Sequence, residues 1–309
     1  MLGIDAGGSK TVCLLADADG HVLAEARGGG ANLQSAGELE VEKVLHGLMI
    51  DAIGDRDIRP DAICLGIAGV DRPDDAAAVR ALMRRIGSTS RILVVNDALI
   101  ALVAGAGDDP GVVIVAGTGS IAYGRDACGR AARAGGWGYL LGDEGGGFWI
   151  GRAALTAVVR QFDGRGPATL LTDMVLTDMH LHSPTELIHA VYDHGIPRRS
   201  IASIASVVQR AVDAGDAVAS EILDRAAAEL TAAAASVITR LDMRGDEFPV
   251  VLSGGIFTAI PWLVRGVGLR LREVAPRSRV TLLDVEPATG AVTLAIATAR
   301  GRATVPVYV

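Results

Sequence analysis

The chain has 309 residues, half of them hydrophobic but only 4% aromatic, and its formal net charge at pH 7 is −7. This length allows two domains with sizeable cores, and an aliphatic composition of this kind is typical of α/β enzymes with buried sheets. The acidic balance argues against nucleic acid as a partner. No apolar run has the length of a membrane helix and no basic leader precedes the first strand, so we expect a cytoplasmic protein.

The first part of the chain predicts an antiparallel meander followed by parallel crossover units. We predict strands over residues 2–5, 12–17, 21–26, 62–68 and 91–96, and helices over 38–53, 74–86 and 97–106. Glycine-rich residues separate the first two strands, and Ala18-Asp19-Gly20 predicts a hairpin turn between the next two.

The same plan begins again at residue 112, which indicates an internal duplication. We predict strands over 112–116, 121–125 and 130–134, a mainly helical region over 151–243 with a long helix over 217–243, strands over 249–252 and 279–285, and helices over 261–274 and 288–300. We therefore divide the chain into a first domain, residues 1–106 plus 288–309, and a second domain, residues 107–287, that is enlarged by helices.

Two glycine turns occupy equivalent places in the duplicated units. In LGIDAGGSKT, glycines let the backbone approach a ligand closely, hydroxyls and a lysine can donate to phosphate, and Asp5 can hold Mg²⁺ through water. One such turn alone is more often a plain hairpin, but two facing turns would clamp a polyphosphate. The predicted phosphate-binding residues are Gly7, Gly8, Ser9, Lys10, Thr11, Gly117, Thr118, Gly119 and Ser120.

Asn96 and Asp97 end the apolar strand ILVVND and begin a helix. Because ligands bind at the carboxyl ends of strands in α/β sheets, Asp97 can be a general base that accepts a proton from a substrate hydroxyl. The alternative is a helix N-cap, for which Asp is a favoured residue. The two roles are compatible.

The stretch GGWGYLLGDEGGGFWIG, residues 135–151, combines many glycines with two of the three tryptophans. An indole such as that of Trp137 suits the apolar face of a sugar ring, and Asp143 and Glu144 suit its hydroxyls. The alternative is a loop-to-helix junction with solvated acids. A third glycine pair, Gly254-Gly255, follows the strand VVL and suits a flat adenosine, although such turns are common in α/β folds.

The segments LGIDAGGSKT, VVNDA, VAGTGS, AGGWGYLLGDEGGGFWIG and VLSGGI, in this order, resemble the N-acetylglucosamine kinase family, the amino-sugar kinases of the BadF/BadG/BcrA/BcrD ATPase group. This family belongs to the hexokinase–actin superfamily. The resemblance implies an α/β fold of two duplicated ribonuclease-H-like domains around a cleft, with ATP and Mg²⁺ as cofactors, an amino sugar as substrate and homodimers as the common assembly.

The resemblance also implies roles for individual residues. Asp97 matches the base that deprotonates the sugar 6-hydroxyl, Asp5 the acid that positions Mg²⁺, and Thr118 a residue between sugar and phosphates. The implied sugar contacts are Asn32, Asn96, Asp97, Thr118, Gly136, Trp137 and Asp143, and the implied adenosine contacts are Gly254 and Gly255.

Three questions stay open at this point. N-acetylglucosamine is the first candidate sugar, with glucosamine and N-acetylmuramic acid as alternatives. A dehydratase-activator ATPase of the same superfamily would need paired cysteines, and Cys13, Cys64 and Cys128 are far apart in the chain. A sugar-sensing regulator would carry an added helix-turn-helix segment.

Overall fold

The computed structural model describes residues 1–31, 37–70, 73–193 and 196–309. Its strands are Leu2–Ala6 (β1), Lys10–Ala16 (β2), Val22–Gly29 (β3), Ala62–Ile67 (β4), Arg91–Asn96 (β5), Gly111–Ala116 (β6), Ser120–Arg125 (β7), Arg130–Gly135 (β8), Pro249–Ser253 (β9), Arg279–Leu282 (β10) and Val307–Tyr308 (β11). Its α-helices are Glu38–Ile53 (α1), Pro73–Arg85 (α2), Asp97–Ala106 (α3), Gly147–Phe162 (α4), Leu171–Asp178 (α5), Arg198–Ser203 (α6), Ala205–Asp213 (α7), Ala217–Arg240 (α8), Gly255–Ala259 (α9), Pro261–Val274 (α10) and Ala288–Ala299 (α11). A 3₁₀ turn, Pro184–Glu186, and a π-helical turn, His189–Asp193, lie between α5 and α6.

The strands form two sheets that share one five-strand topology, to which the second sheet adds β11. The first has the order β3-β2-β1-β4-β5, and the second the order β10-β9-β6-β7-β8-β11. In both sheets the hairpin strands pair antiparallel and the next two strands join parallel, β4 beside β1 and β9 beside β6. The predicted fold class, two duplicated α/β units with the second enlarged by helices, is confirmed.

The duplication extends to single hydrogen bonds in the second turn of each unit. The Asp17 carboxylate accepts from the backbone N–H groups of Asp19 and His21, both at 2.9 Å. The Asp126 carboxylate accepts in the same way from Cys128 at 2.9 Å and Arg130 at 2.8 Å. Each acid also contacts the side chain four residues later, so the same turn chemistry closes both hairpins.

Helix α3 joins the two halves, because it packs on both sheets. An added Cβ at Gly66 in β4 would overlap Ile100 of α3, and one at Gly105 of α3 would lie 2.7 Å from the Val251 side chain in β9. Helix α11 reaches α3 equally closely, since a Cβ at Gly290 would overlap the Ile100 carbonyl oxygen. Glycine at these places lets buried helices and strands approach without a side chain between them.

The sequence-based domain boundaries stay a prediction. Helix α11 packs on β1, where a Cβ at Gly3 would lie 2.5 Å from the Val292 nitrogen, whereas β11 pairs with β8 of the second sheet. Two elements end three residues earlier than predicted, the strand β10 at Leu282 and the helix α8 at Arg240. Among the described residues, no helix is both long and apolar enough to span a membrane.

The cysteines differ in environment. Cys13 and Cys64 lie fully buried in the first sheet, as small hydrophobic residues do. Cys128, by contrast, is exposed in the turn between β7 and β8. The reason is the Asp126 turn, which holds the backbone of Cys128 and leaves its side chain in solvent.

We expect Asp126→Ala to lower the free energy of unfolding by about 1–2 kcal/mol at pH 7. Burial alone would raise the pKa of Asp126, but hydrogen bonds from Arg130 and from the Cys128 backbone hold it below its usual value. Stabilisation by an acid of lowered pKa is complete above the unfolded-state pKa and is lost as the pH falls through the folded-state pKa. Chemical denaturation should therefore show that the difference in unfolding free energy between wild type and variant decreases below about pH 4.

Asp19→Ala is the matched control, because Asp19 is exposed in the equivalent turn and contributes its backbone N–H rather than its carboxylate. If the difference in unfolding free energy between wild type and Asp126→Ala stayed the same at low pH, it would contradict the role given to the Asp126 carboxylate.

Candidate active site

The first glycine turn, residues 7–10, connects β1 to β2. The N–H of Gly7 donates to the Lys10 carbonyl at 3.0 Å, and a Cβ added at Gly8 would meet open space. The end of β3 lies against this turn, because a Cβ at Gly30 would overlap the Gly8 carbonyl. Thr11 is fully buried and its hydroxyl donates to the Gly29 carbonyl at 2.7 Å, so the structure does not bring this side chain to the turn.

The second glycine turn, residues 117–120, is fastened to the loop before α4. The N–H of Gly147 donates to the Gly117 carbonyl at 2.8 Å, and the N–H of Phe148 to the Thr118 carbonyl at 2.9 Å. A Cβ at Gly146 would lie 2.7 Å from the Gly119 carbonyl carbon, so two backbones meet where no side chain fits.

The two turns contact each other across the domains. The hydroxyl oxygens of Ser9 and Thr118 lie 3.1 Å apart, although the residues are 109 positions apart in the chain. The glycine pair after β9 lies beside the second turn, since a Cβ at Gly254 would overlap the Ala116 carbonyl. Gly254 has φ +107°, a conformation that favours glycine, and Gly255 begins α9. The structure therefore brings all three predicted glycine segments to one place.

The start of α3 distinguishes the two roles considered for Asp97, helix N-cap and general base. Asn96 is the N-cap, and its side-chain oxygen accepts from the Ala98 N–H at 2.8 Å. Asp97 is the first helical residue and is half-buried. Because Asn96 caps the helix, the N-cap alternative for Asp97 is wrong, and the Asp97 carboxylate is not needed for that purpose.

Asp5 and Asp97 lie at the same edge of the first sheet, at the carboxyl ends of β1 and β5 on either side of β4. Burial and the negative charge of Asp97 raise the pKa of Asp5 to about 7, Lys10 lowers it, and Glu286 adds to the increase. The edge therefore concentrates negative charge that would favour a bound cation.

Glu286 holds the first turn by two ion pairs. Its carboxylate lies 3.2 Å from the Lys10 ammonium and 2.8 Å from the Arg27 guanidinium. Burial alone would raise the pKa of Glu286, but these two partners hold it below its usual value. No sequence motif pointed to this residue. The duplication could have revealed it, because Glu286 follows β10 as Asp97 follows β5.

Gly136 and Trp137 begin the loop that joins β8 to α4. Gly136 has φ +70° and its N–H donates to the Ser120 carbonyl at 2.9 Å. Trp137 is 62% exposed, with the Arg133 guanidinium 5.0 Å from its ring centroid. The indole therefore presents free apolar surface beside the second turn.

Asp143 lies between this loop and the second turn. It has φ +59°, its carboxylate accepts from the backbone N–H groups of Gly138 and Ser120, and a Cβ at Gly119 would overlap it. Burial raises the pKa of Asp143, while the two backbone donors and the charge of Arg198 oppose the increase. No sequence motif pointed to Arg198 either, because only the fold brings α6 to this loop.

Asn32, a predicted sugar contact, lies outside the described residues. A group of three potential metal ligands, Asp17, Asp19 and His21, lies in the turn between β2 and β3. Asp17 is already engaged there in closing the hairpin, and the three residues explain the turn without a metal.

The fold and site define a two-domain α/β protein in which duplicated glycine turns meet beside clustered carboxylates. Residues 2–295 match the model of the BadF/BadG/BcrA/BcrD ATPase family. The chain therefore belongs to that family, as its sequence motifs predict, and membership of an ATPase family implies the use of ATP.

Two relatives and one solved structure similar to this chain are named as amino-sugar kinases. An N-acetylmuramic acid/N-acetylglucosamine kinase of Clostridium acetobutylicum is 37% identical over 96% of this chain and 97% of its own. An N-acetyl-D-glucosamine kinase of Dictyostelium discoideum is 32% identical over 96% and 97%. The solved structure of a candidate N-acetylglucosamine kinase from Chromobacterium violaceum has a TM-score of 0.77 at 26% identity, covering 94% of this chain and 96% of that one.

We expect Asp5→Asn to stabilise the protein at pH 8 in the absence of nucleotide and divalent cations, by about 2 kcal/mol. An acid whose folded-state pKa is raised to about 7 costs stability as the pH rises from the unfolded-state value, near 4, through 7. The amide removes that cost. Melting temperatures measured from pH 5 to pH 8 in EDTA should show the variant's advantage growing with pH.

Asp19→Asn, a substitution of an exposed acid, serves as the control. An Asp5→Asn protein that melts at or below the wild-type temperature at pH 8 would contradict the charge crowding described for this edge.

Proposed function

We propose that this protein is an ATP-dependent kinase that phosphorylates the 6-hydroxyl of an amino sugar, with N-acetylglucosamine as the first candidate. The observation that carries the proposal is the 3.1 Å contact between Ser9 and Thr118, because it joins the glycine turns of both domains at one site. The names of the relatives, both amino-sugar kinases that match nearly the whole chain, support the substrate class.

The site has the donors and acids that ATP and Mg²⁺ require. The backbones at Gly8 and Gly117 border open space, where a phosphate can approach N–H groups directly. Asp5, in the acidic edge, would hold Mg²⁺, and carboxylate oxygens are the ligands this ion takes. When bound, Mg²⁺ neutralises the charge of the transferring phosphate. Lys10 and Ser9 would contact the phosphates, Gly254 and Gly255 the adenosine, and Thr118 the region between phosphates and sugar.

Asp97 would act as the general base. Its carboxylate would accept the proton of the sugar 6-hydroxyl while the hydroxyl oxygen forms its bond to the γ-phosphorus of ATP and ADP leaves. The cap made by Asn96 keeps the first turn of α3 in place. The position of Asp97 is thus fixed by the buried helix that joins both sheets, which is the kind of support that precise proton transfer needs.

The loop of residues 135–144 would bind the sugar. Trp137 offers an exposed indole face to the ring, and Asp143 offers a carboxylate oxygen to its hydroxyls. Asn32, Asn96 and Gly136 complete the proposed set of sugar contacts. Closure of the domains on the sugar would exclude water and limit hydrolysis of ATP.

Glucosamine and N-acetylmuramic acid are the alternative substrates. A dehydratase-activator function is disfavoured, because two of the cysteines are buried in the first sheet and the third lies exposed in a turn of the second. We also propose that the protein is cytoplasmic and forms a homodimer. Sedimentation of the purified chain would test the assembly.

We expect Asp97→Asn to reduce kcat for the sugar about 10²- to 10⁴-fold, since a general base contributes that much. Coupled measurement of ADP release against a panel of hexoses and amino sugars tests both the activity and the base. Asp74→Asn is the control, since Asp74 is an exposed acid in the first turn of α2. Wild-type rates that no amino sugar increases would refute the kinase, and an Asp97→Asn variant with full activity would refute the base.

We expect Gly119→Ala to raise KM for the sugar at least about tenfold, because its methyl group would displace the Asp143 carboxylate from the second turn. Gly117→Ala, in the same turn, adds a methyl group that meets no protein atom. It should leave KM for the sugar near the wild-type value while raising KM for ATP. Steady-state kinetics with each substrate varied in turn would separate the two effects. Equal KM values for the sugar in the two variants would contradict the proposed contact of Asp143 with the sugar.

A further inference from the structure

Arg198 lies beside the proposed sugar site, where its charge can select the sugar substituent that binds. This residue begins α6, and its guanidinium carbon lies 4.8 Å from the centroid of the Tyr139 ring. Tyr139 belongs to the loop of residues 135–144, which also carries Trp137 and Asp143. An arginine from a distant part of the chain is therefore placed against the loop proposed to bind the sugar.

Both partners of this contact are fixed by α4. A Cβ at Gly151 would overlap the Ile201 carbonyl of α6, and a Cβ at Gly147 would lie 3.1 Å from the Ala202 side chain. Glycine in α4 thus lets α6 pack directly on it. The Tyr139 ring packs edge-on against Phe148 of α4, with centroids 5.1 Å apart. The position of Arg198 relative to the loop is therefore set by packing.

The charges near the proposed sugar site are mostly negative. Asp5, Asp97, Asp143 and Glu144 contribute carboxylates, and the Lys10 ammonium pairs with Glu286. A sugar that carries a carboxylate would be repelled unless a cation offset this charge.

Arg198 is the cation suited to that task. Arg133, the arginine of β8 that lies against Trp137, donates to the Gly135 carbonyl at 3.2 Å. Within the part of the chain that the structure describes, the Arg198 side chain forms no hydrogen bond or salt bridge, and its charge acts on Asp143 without direct pairing. Its contact is the Tyr139 ring, and such stacking leaves the edge of a guanidinium available for hydrogen bonds in its plane.

We propose that Arg198 is a specificity-determining residue that pairs with the carboxylate of an acidic amino sugar, the class to which N-acetylmuramic acid belongs. This inference rests on the proposed kinase function and deepens it. A guanidinium matches a carboxylate with two parallel hydrogen bonds, which a neutral substituent such as an acetamido group cannot accept in the same way.

The test compares two substrates on the full chain. ADP release is measured with N-acetylmuramic acid and with N-acetylglucosamine, for wild type, Arg198→Ala, Arg198→Lys and Arg199→Ala. Arg199 is the matched control, because it is the next residue and is exposed. We expect the ratio of kcat/KM for the acidic over the neutral sugar to fall about 10- to 100-fold in Arg198→Ala, since charged hydrogen bonds contribute that much.

Arg198→Lys should lose less, because it keeps the charge without the paired geometry, and Arg199→Ala should keep the wild-type ratio. An unchanged ratio in Arg198→Ala, or equal loss with both sugars, would overturn the inference. So would a wild-type protein that phosphorylates N-acetylglucosamine but not N-acetylmuramic acid, and that result would leave the proposed kinase function intact. A wild type inactive on every amino sugar would instead refute the kinase itself.

Discussion

The site depends on one constraint, the direct contact of backbone with backbone around the second glycine turn. Gly146 lies against Gly119, Gly254 lies against Ala116, and Gly147 donates to Gly117. A side chain at position 146 or 254 would separate the segments. Because glycine occupies them, the turn after β6, the loop before α4 and the turn after β9 form one closely packed unit, and Asp143 is held inside it by backbone donors.

The first domain contributes charge to this unit. Asp5 and Asp97 lie at one edge of its sheet, and the pKa of Asp5 is raised to about 7 because burial and Asp97 both disfavour its ionised form. Glu286, from the segment before α11, holds Lys10 and Arg27 beside the first turn. The first domain thus concentrates acids at a cost to stability, which the cation and phosphates of the proposed function would offset.

The two duplicated units share the chemistry of their hairpin turns but differ in chemistry at the ends of their parallel strands. Both keep the hairpin closed by an acid, Asp17 in one and Asp126 in the other, with matching hydrogen bonds. At the carboxyl ends of the last parallel strands they differ. Asp97 begins α3 directly after β5, whereas Glu286 follows β10 after a short segment and forms ion pairs. The equivalent position thus carries the proposed base in one unit and a structural anchor in the other.

The sequence alone predicts most of the strands, the longer helices and the glycine turns, because alternating apolar residues, glycines and caps act over a few neighbouring positions. It also determined the family, through five motifs in a fixed order. Local patterns could not decide that Asn96 rather than Asp97 caps α3, that Thr11 points into the sheet, or that Cys128 is exposed. Only the tertiary structure brought Ser9 to Thr118, Glu286 to Lys10 and Arg198 to Tyr139. These pairs are separated by 59 to 276 positions, and what joins them is the packing of α3, α6 and α11 through glycines, which no short stretch of sequence encodes.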